Sequence, residues 1–204
     1  MAEAGESPQV VVSDGELVRR AKAGEKGAFD TLMERYEREV ITVAYRMLGR
    51  HEDAVDLAQD AFTRAWRSLS VFREEAAFRT WLYRIALNLV LNRRRWYARH
   101  RVSLTVSLDE PADPEGEGDP LSAQMADPAP GPREEAARSE LRSKILAALE
   151  QLPVSFRTVV VLRDMKGLSY EEIAKICGER AGTVKSRLHR ARALLRERLG
   201  GGLK

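Results

Sequence analysis

The sequence predicts an all-α chain made of two helical domains joined by a flexible acidic linker. Apolar residues recur at spacings of three and four along most of the chain, and no strand-like alternation of comparable length competes with them. Between residues 103 and 135 this pattern stops, and six of the eight prolines and nine acidic residues fall in that stretch. Such a composition cannot bury enough apolar surface to offset its ordering entropy. We therefore expect domains at 13–102 and 136–200, a linker at 103–135, a disordered amino terminus at 1–12 and a flexible tail at 201–204.

The charge of the chain is strongly segregated. The net charge is +3, but the predicted linker holds nine acidic residues against one arginine, so it carries −8 and the remainder carries +11. A basic body indicates polyanionic partners. A single cysteine excludes an intrachain disulfide, and three scattered histidines give no zinc-type spacing. With no membrane-length apolar run and no signal pattern, we expect a cytoplasmic chain without membrane insertion, metal or cofactor.

Four helices are expected in the amino-terminal domain. Ser13 and Glu16 are spaced as a capping box at the start of the first. The apolar stripe of the second helix is formed by Phe29, Leu32, Met33, Tyr36, Val40, Val43, Ala44 and Met47. The inward residues of the third are Leu57, Ala58, Ala61, Phe62, Ala65, Trp66 and Leu69, and those of the fourth are Phe78, Trp81, Leu82, Ile85, Ala86 and Leu89. These stripes alone could form the core of a helical bundle.

The third helix of this domain carries an acidic face. Asp53, Asp56 and Asp60 are spaced by three and four residues, so they lie on one side of the helix. One interpretation is a well-capped surface helix, since acids near a helix start are favoured by the helix dipole. The other is a docking face for a basic protein partner, because DNA would repel it.

The fourth helix carries a different polar stripe, which includes Arg84, Asn88 and Asn92. Its end, from residue 93 to 101, contains five arginines, two aromatic residues and no acid. Arginine binds phosphates and stacks on bases, asparagine hydrogen-bonds base edges, and aromatic rings support unstacked bases. The stripe therefore favours partly melted DNA over an intact duplex. The alternative is a polar helix face with a cationic end that suits the dipole.

The carboxyl-terminal domain contains a helix-turn-helix pattern. It opens with a helix whose inward residues are Leu141, Ile145, Leu149 and Leu152. Farther on, Ala174 allows close helix crossing, Gly178 permits a tight turn, and Val184 fills the joint core. In the second helix of the motif the inward residues are Val184, Leu188, Ala191 and Leu195. Residues 180–199 hold seven cations and one acid, which indicates DNA binding rather than a merely solvated helix.

Three segments together resemble the extracytoplasmic-function (group IV) sigma factors of bacterial RNA polymerase. They are Asp53–Leu69 (DAVDLAQDAFTRAWRSL), Phe78–Arg95 (FRTWLYRIALNLVLNRRR) and the stretch from Leu152 to Leu199, which includes GTVKSRLHRAR. The resemblance covers both domains in order. It implies a region 2 bundle and a region 4 helix-turn-helix, hence an alternative-sigma initiation factor that directs core polymerase to promoters and assists their melting.

The resemblance also implies roles for individual residues. Contact with the β′ clamp helices of core polymerase is expected for Asp53, Asp56, Leu57, Gln59, Asp60 and Phe62. Recognition of the −10 element is expected for Phe72, Arg73, Arg84, Asn88, Asn92, Arg95, Trp96 and Arg99. Recognition of the −35 element is expected for Thr183, Lys185, Ser186, Arg187, His189 and Arg190. The implied partners are core polymerase (through the β′ clamp helices and the β flap), promoter DNA and an anti-sigma protein.

This sequence departs from the family pattern in one segment. Gly178–Ala181 replaces the frequent Cys-Pro turn, and His189 stands where relatives vary, so the −35 sequence preference does not transfer. Two other classes of function stay open on the residues alone. An autonomous helix-turn-helix regulator would need a dimerisation face and paired half-sites and leaves the acidic face unexplained. A protein-interaction adaptor would need no DNA contact. An enzyme is the weakest interpretation, since no nucleophile–base pair, phosphate loop or metal cluster is evident.

Overall fold

The computed structural model describes residues 12–73, 77–100 and 132–200, with side chains from residue 137 onward in the last range. The predicted disordered amino terminus (apart from residue 12), residues 103–131 of the predicted linker and the predicted tail lie outside these residues. Eight α-helices are described: α1 (Asp14–Lys22), α2 (Lys26–Leu48), α3 (His51–Ser68), α4 (Phe78–His100), α5 (Pro132–Glu150), α6 (Val154–Val160), α7 (Tyr170–Cys177) and α8 (Ala181–Gly200).

Helices α1–α4 form a bundle in which α2 packs against the other three. The close contact between α2 and α3 follows from four alanines of α3 at helical spacing: Ala54, Ala58, Ala61 and Ala65, each 2% exposed or less. Small side chains at such positions let two helix backbones approach closely. Gly49 ends α2 in the left-handed conformation (φ 82°), and its N–H donates to the Tyr45 carbonyl at 2.8 Å.

The second domain is built around α6, whose carboxyl-terminal half and the start of the turn that follows are buried. Val159, Val160, Val161 and Leu162 are each 4% exposed or less. Four consecutive buried residues do not fit a single helical stripe, but α6 contacts both α8 and the first domain, so every face has a neighbour. The helix continues as a π-helical turn, Val161–Met165.

The two domains pack against each other. Helix α4 contacts α7, and α2 contacts both α5 and α6. Arg79 of α4 donates to the Lys166 carbonyl at 3.1 Å, and Arg157 of α6 donates to the Met47 carbonyl at 2.9 Å. The described parts of both domains therefore share one continuous apolar core.

Several sequence predictions of burial and boundaries were wrong in detail. Met33 and Trp66 were predicted inward but are 36% and 41% exposed, because both lie beside a groove between α2 and α3 that no described element fills. Leu141 is 52% exposed, because only the last turn of α5 reaches the core. Helix α5 begins at Pro132, so it includes four residues assigned to the linker.

At Ser13 the side chain accepts a hydrogen bond from the Glu16 N–H, the first half of the expected capping box.

Candidate nucleic-acid and protein interfaces

Helices α7 and α8 form a helix-turn-helix with a well-defined turn. A capping box starts α7: the Ser169 N–H donates to Glu172 Oε2 at 2.7 Å, and the Glu172 N–H donates to Ser169 Oγ at 3.2 Å. These bonds lower the pKa of Glu172. Gly178 ends α7 with φ 68°, a conformation in which a side chain would be strained. Val184 and Leu188, both 2% exposed or less, then fix α8 against the domain core.

The opposite side of α8 is exposed and cationic. We call it the recognition face; its exposed members are Lys185, Ser186, His189 and Arg190, with Thr183 half-buried at its edge. Ser186 Oγ donates to the Thr183 carbonyl at 2.9 Å, which orients that hydroxyl along the helix. Within the described chain Lys185 and Arg190 form no ion pair, so both cations are available to an external anion.

Arg187 differs from its neighbours on α8. Its Nη1 donates to Glu179 Oε1 at 2.6 Å, and the two side chains are 29% and 27% exposed. The structure therefore places this predicted −35 residue in an ion pair with the turn of the motif. Arg192 is also held within the domain, since its Nε donates to Asp164 Oδ2 at 3.0 Å.

A groove of about 750 Å³ runs beside the recognition face. Its apolar lining is formed by Leu188, Leu195 and Leu199, and Tyr170 of α7 also lines it. Its cationic rim is formed by Lys185, His189, Arg192 and Arg196. Sequence reasoning did not find this groove, because it treated Leu195 as a core residue and gave Tyr170 no role.

Helix α4 presents the predicted −10 residues along one exposed face. Its exposed members are Arg84, Asn88, Asn92, Arg95, Trp96 and Arg99. Trp96 is 47% exposed and stacks on His100, with ring centroids 4.2 Å apart and planes inclined by 24°. Asn92 Oδ1 accepts a hydrogen bond from Arg95 Nη1 at 3.4 Å. The combination of an exposed aromatic stack with amide and guanidinium groups suits unstacked bases.

Phe72, at the end of the segment before α4, is placed differently from the sequence prediction. It is 6% exposed and packs against Phe78 and Trp81, with centroid distances of 6.1 and 4.7 Å. Its carbonyl accepts a hydrogen bond from Lys22 Nζ at 2.6 Å. Phe72 therefore anchors this segment to the bundle, while the next residue, Arg73, is exposed. Phe72 is buried because it belongs to this aromatic cluster. Residue spacing alone did not predict the cluster.

The acidic face of α3 contains one carboxylate that connects two helices, Asp53, and two exposed ones, Asp56 and Asp60, of which Asp60 Oδ2 lies 4.0 Å from Arg93 Nη2. Asp53 is 15% exposed and accepts hydrogen bonds from Arg93 Nη1 at 3.2 Å and Tyr97 Oη at 2.8 Å, so it connects α3 to α4. Burial and this carboxylate raise the pKa of Tyr97. Asp56, Gln59 and Asp60 are exposed. The predicted apolar contacts, Leu57 and Phe62, are 1% and 4% exposed and belong to the core.

An apolar groove of about 580 Å³ adjoins this acidic face. Its apolar lining is formed by Phe29, Met33, Ile41, Val55, Phe62 and Trp66, and Gln59 lies on its rim. The apolar stripes of α2 and α3 contain more residues than the bundle core buries. The remaining apolar residues line this groove. An unusually wide stripe was the sequence signal that could have revealed it.

The described ranges offer neither a metal-binding cluster nor a membrane-spanning helix. Within them, no group of three or more His, Cys, Asp or Glu side chains is arranged to hold a metal ion. No helix in that part of the chain has the length and apolar character needed to cross a membrane.

Both domains have counterparts among known proteins. Residues 32–100 match Sigma-70 region 2, and residues 142–195 match Sigma-70, region 4. The ECF RNA polymerase sigma-E factor of Escherichia coli K12 is 36% identical over 181 residues, which cover 89% of this chain and 91% of that protein. The structure of CnrH in complex with the cytosolic domain of CnrY is similar, with a TM-score of 0.65 and 28% identity, covering 92% of this chain and 97% of that one. The sigma factor RpoE, in complex with the anti-sigma factor NepR from Bartonella quintana, has a TM-score of 0.62 at 25% identity, covering 84% and 96%.

The helical fold, the helix-turn-helix and these matches define the class of protein as a transcription initiation factor of the sigma-70 type. Within that class, the chain belongs to the extracytoplasmic-function sigma factors. It is thus an alternative sigma factor, which binds core RNA polymerase and directs it to promoters. Family membership favours this function over an autonomous helix-turn-helix regulator or an adaptor.

Proposed function

We propose that this chain selects promoters through two separate DNA-binding faces while the acidic face of α3 docks on core polymerase. The observation that carries the proposal is that all three surfaces are exposed although the two domains are packed together. Polymerase supplies the catalysis in this scheme, and the chain supplies promoter choice and strand opening. Its place of action is the cytoplasm.

The recognition face of α8 binds the −35 duplex. Lys185 and Arg190 are exposed cations on a helix that Val184 and Leu188 hold rigidly, which is the arrangement needed to enter a major groove. Residues early in α8 approach base edges, and later arginines meet phosphates. The buried inner face keeps this orientation fixed before DNA arrives.

The exposed face of α4 binds the −10 element after its bases separate. Asn88 and Asn92 offer amide groups to base edges, and the Trp96–His100 stack offers a platform for an unpaired base. Capture of a flipped base offsets the unstacking cost of a few kcal/mol. Phe72 acts indirectly, by anchoring the segment that precedes α4.

Core polymerase docks on the exposed part of the acidic face. Asp56, Gln59 and Asp60 present polar groups to a basic helical partner such as the β′ clamp helices, and the adjoining groove receives apolar side chains through Met33 and Trp66. Asp53 contributes by fixing α3 to α4. The groove beside α8 is the proposed contact of the β flap, since part of its lining is apolar.

A sigma factor with these surfaces is open to control by an occluding protein. In the structure from Bartonella quintana, the sigma factor RpoE is in complex with the anti-sigma factor NepR. We extend this arrangement to the present chain, with an anti-sigma protein covering polymerase contacts.

The acidic segment 103–131 is assigned to a basic channel of polymerase otherwise used by RNA.

Competition for core polymerase tests the docking face. Asp56→Lys reverses an exposed charge and is expected to weaken holoenzyme assembly at least tenfold, a loss of about 1.4 kcal/mol or more, without changing the thermal melt. Glu34→Lys, an exposed acid of α2 outside both grooves, is the matched control and is expected to assemble normally. Assembly of the Asp56 variant at the control level would refute the assigned face.

A further inference from the structure

The ion pair between Glu179 and Arg187 lies at the edge of the recognition face of α8. Arg187 follows Thr183 by one helical turn, so both lie on the same flank, next to the exposed Arg190. Glu179 belongs to the turn of the motif, directly after Gly178. With α8 placed in a major groove as proposed above, an unpaired Arg187 on this flank would face the DNA backbone.

We propose that Glu179 is a positioning residue that limits overall DNA affinity, because it holds Arg187 in an ion pair and withholds that guanidinium from DNA phosphates. The proposal rests on the proposed binding of the −35 duplex by α8. Phosphate contacts raise affinity for every sequence equally, whereas base contacts discriminate. A chain that keeps one cation away from phosphates therefore binds every DNA sequence more weakly and keeps its base contacts.

The geometry explains why Arg187 does not leave its partner for DNA. Glu179 Oε1 accepts the 2.6 Å hydrogen bond from Arg187, and both side chains are largely covered. The other oxygen, Oε2, is buried and has no hydrogen-bond partner among the described residues. Removal of Arg187 would leave this carboxylate partly buried, unpaired and close to the polyanion, which is strongly unfavourable. The charge of Glu179 also affects the thiol of Cys177, because burial and Glu179 together raise the pKa of Cys177 to about 11.

The expected effect on DNA binding follows from counterion release. One additional phosphate contact steepens the dependence of log K on log salt by about 0.9, which is about fivefold in affinity at 0.15 M salt. Glu179→Gln removes the charge at nearly constant shape and frees Arg187 to bind a phosphate. Affinity for promoter and non-promoter DNA is therefore expected to rise about fivefold alike, with an unchanged ratio of promoter to non-promoter binding.

The experiment uses holoenzyme reconstituted from core polymerase and the full chain. Binding to a promoter fragment and to the same fragment with a scrambled −35 element is measured over a salt series. Glu179→Gln is expected to give the steeper slope on both fragments. Arg187→Gln leaves the Glu179 carboxylate unpaired and close to the phosphates, so it is expected to weaken binding to both fragments. Glu197→Gln, an exposed acid of α8 outside the ion pair, is the matched control and is expected to match wild type. The double Glu179→Gln, Arg187→Gln variant is expected to return to the wild-type slope.

The outcomes separate this inference from the proposed function. A slope shallower than wild type for the double variant, or a Glu179→Gln slope equal to that of Glu197→Gln, would overturn the inference. Should Glu179→Gln fail to fold, the double variant decides the matter, with Glu179→Asp, which keeps the charge and is expected to keep the wild-type slope, as its control. A wild-type holoenzyme indifferent to the −35 element would instead refute the proposed role of α8, whatever the slopes of the variants.

Discussion

Replacing Arg157 by alanine would test how the two domains are held together. This side chain is 1% exposed, although it belongs to the most hydrophilic residue type. It donates to the Met47 carbonyl at the end of α2 (2.9 Å) and to the Glu150 carbonyl at the end of α5. One guanidinium therefore satisfies the carboxyl-terminal ends of two helices, one from each domain.

The loss of stability expected for Arg157→Ala follows from opposing contributions to the free energy of unfolding. Two hydrogen bonds from a charged donor contribute about 3–6 kcal/mol, and the buried three-carbon stem contributes about 2 kcal/mol. Burial opposes them: it lowers the pKa of Arg157 from its ordinary value of 12.5 to about 10, which corresponds to about 3 kcal/mol against the cation. The net loss expected for Arg157→Ala is therefore about 2–5 kcal/mol of unfolding free energy. The Met47 carbonyl keeps a second donor, Arg94 Nη1 at 2.8 Å, which limits the loss.

Urea denaturation of the full chain, followed by circular dichroism and tryptophan fluorescence, measures this loss. Arg138→Ala, at an exposed position of α5, is the matched control and is expected to change the unfolding free energy by less than about 0.5 kcal/mol. Arg157→Met, which keeps the stem but not the cation, is expected to lose less than the alanine variant. An Arg157→Ala chain as stable as the control would refute this account of the interface.

The helix-turn-helix yields three other predictions. Leu188→Ala is expected to lose about 2–5 kcal/mol in urea denaturation and to lose −35 binding, because it leaves a cavity beneath the recognition face; wild-type stability would contradict its core role. Ser169→Ala removes the capping box and is expected to lower the free energy of unfolding by about 1 kcal/mol in the same assay. An unchanged free energy of unfolding would contradict a stabilising role for this cap. Folding raises the pKa of Cys177 from 9 to about 11. Its protonated thiol therefore contributes fully to the stability of the folded chain below pH 9, and this contribution is lost as the pH rises through 11. At pH 8.5 its alkylation is expected to be roughly 50- to 100-fold slower in the folded chain than in urea, and equal rates would contradict the raised pKa.

Local patterns in the sequence predicted most of the fold. Capping residues, turn glycines and apolar spacing are read within one or two helical turns, so α2, α3, α4 and the helix-turn-helix could all be placed. The exposed polar faces were predictable for the same reason, since the residues that alternate with a buried stripe must point to solvent. Ser169 and Gly178 illustrate this, because each acts within its own turn of the chain.

Features that depend on distant residues were not predictable from one sequence. Arg157 and Met47 are 110 positions apart, and nothing in their local spacing indicates that they meet. The groove exposing Met33 and Trp66 depends on how far α2 and α3 lie from any further element. Likewise, the spacing that put Arg187 with the DNA contacts could not reveal its ion pair, because that depends on the side-chain geometry of the turn.

Initiation by purified components tests the central claim most directly. Sigma-free core polymerase is incubated with the full chain and a library of promoter-bearing DNA, and RNA 5′ ends are mapped. The account predicts start sites at a fixed distance downstream of shared −10 and −35 sequences, and none with core polymerase alone. Start sites distributed as they are without the chain would contradict it.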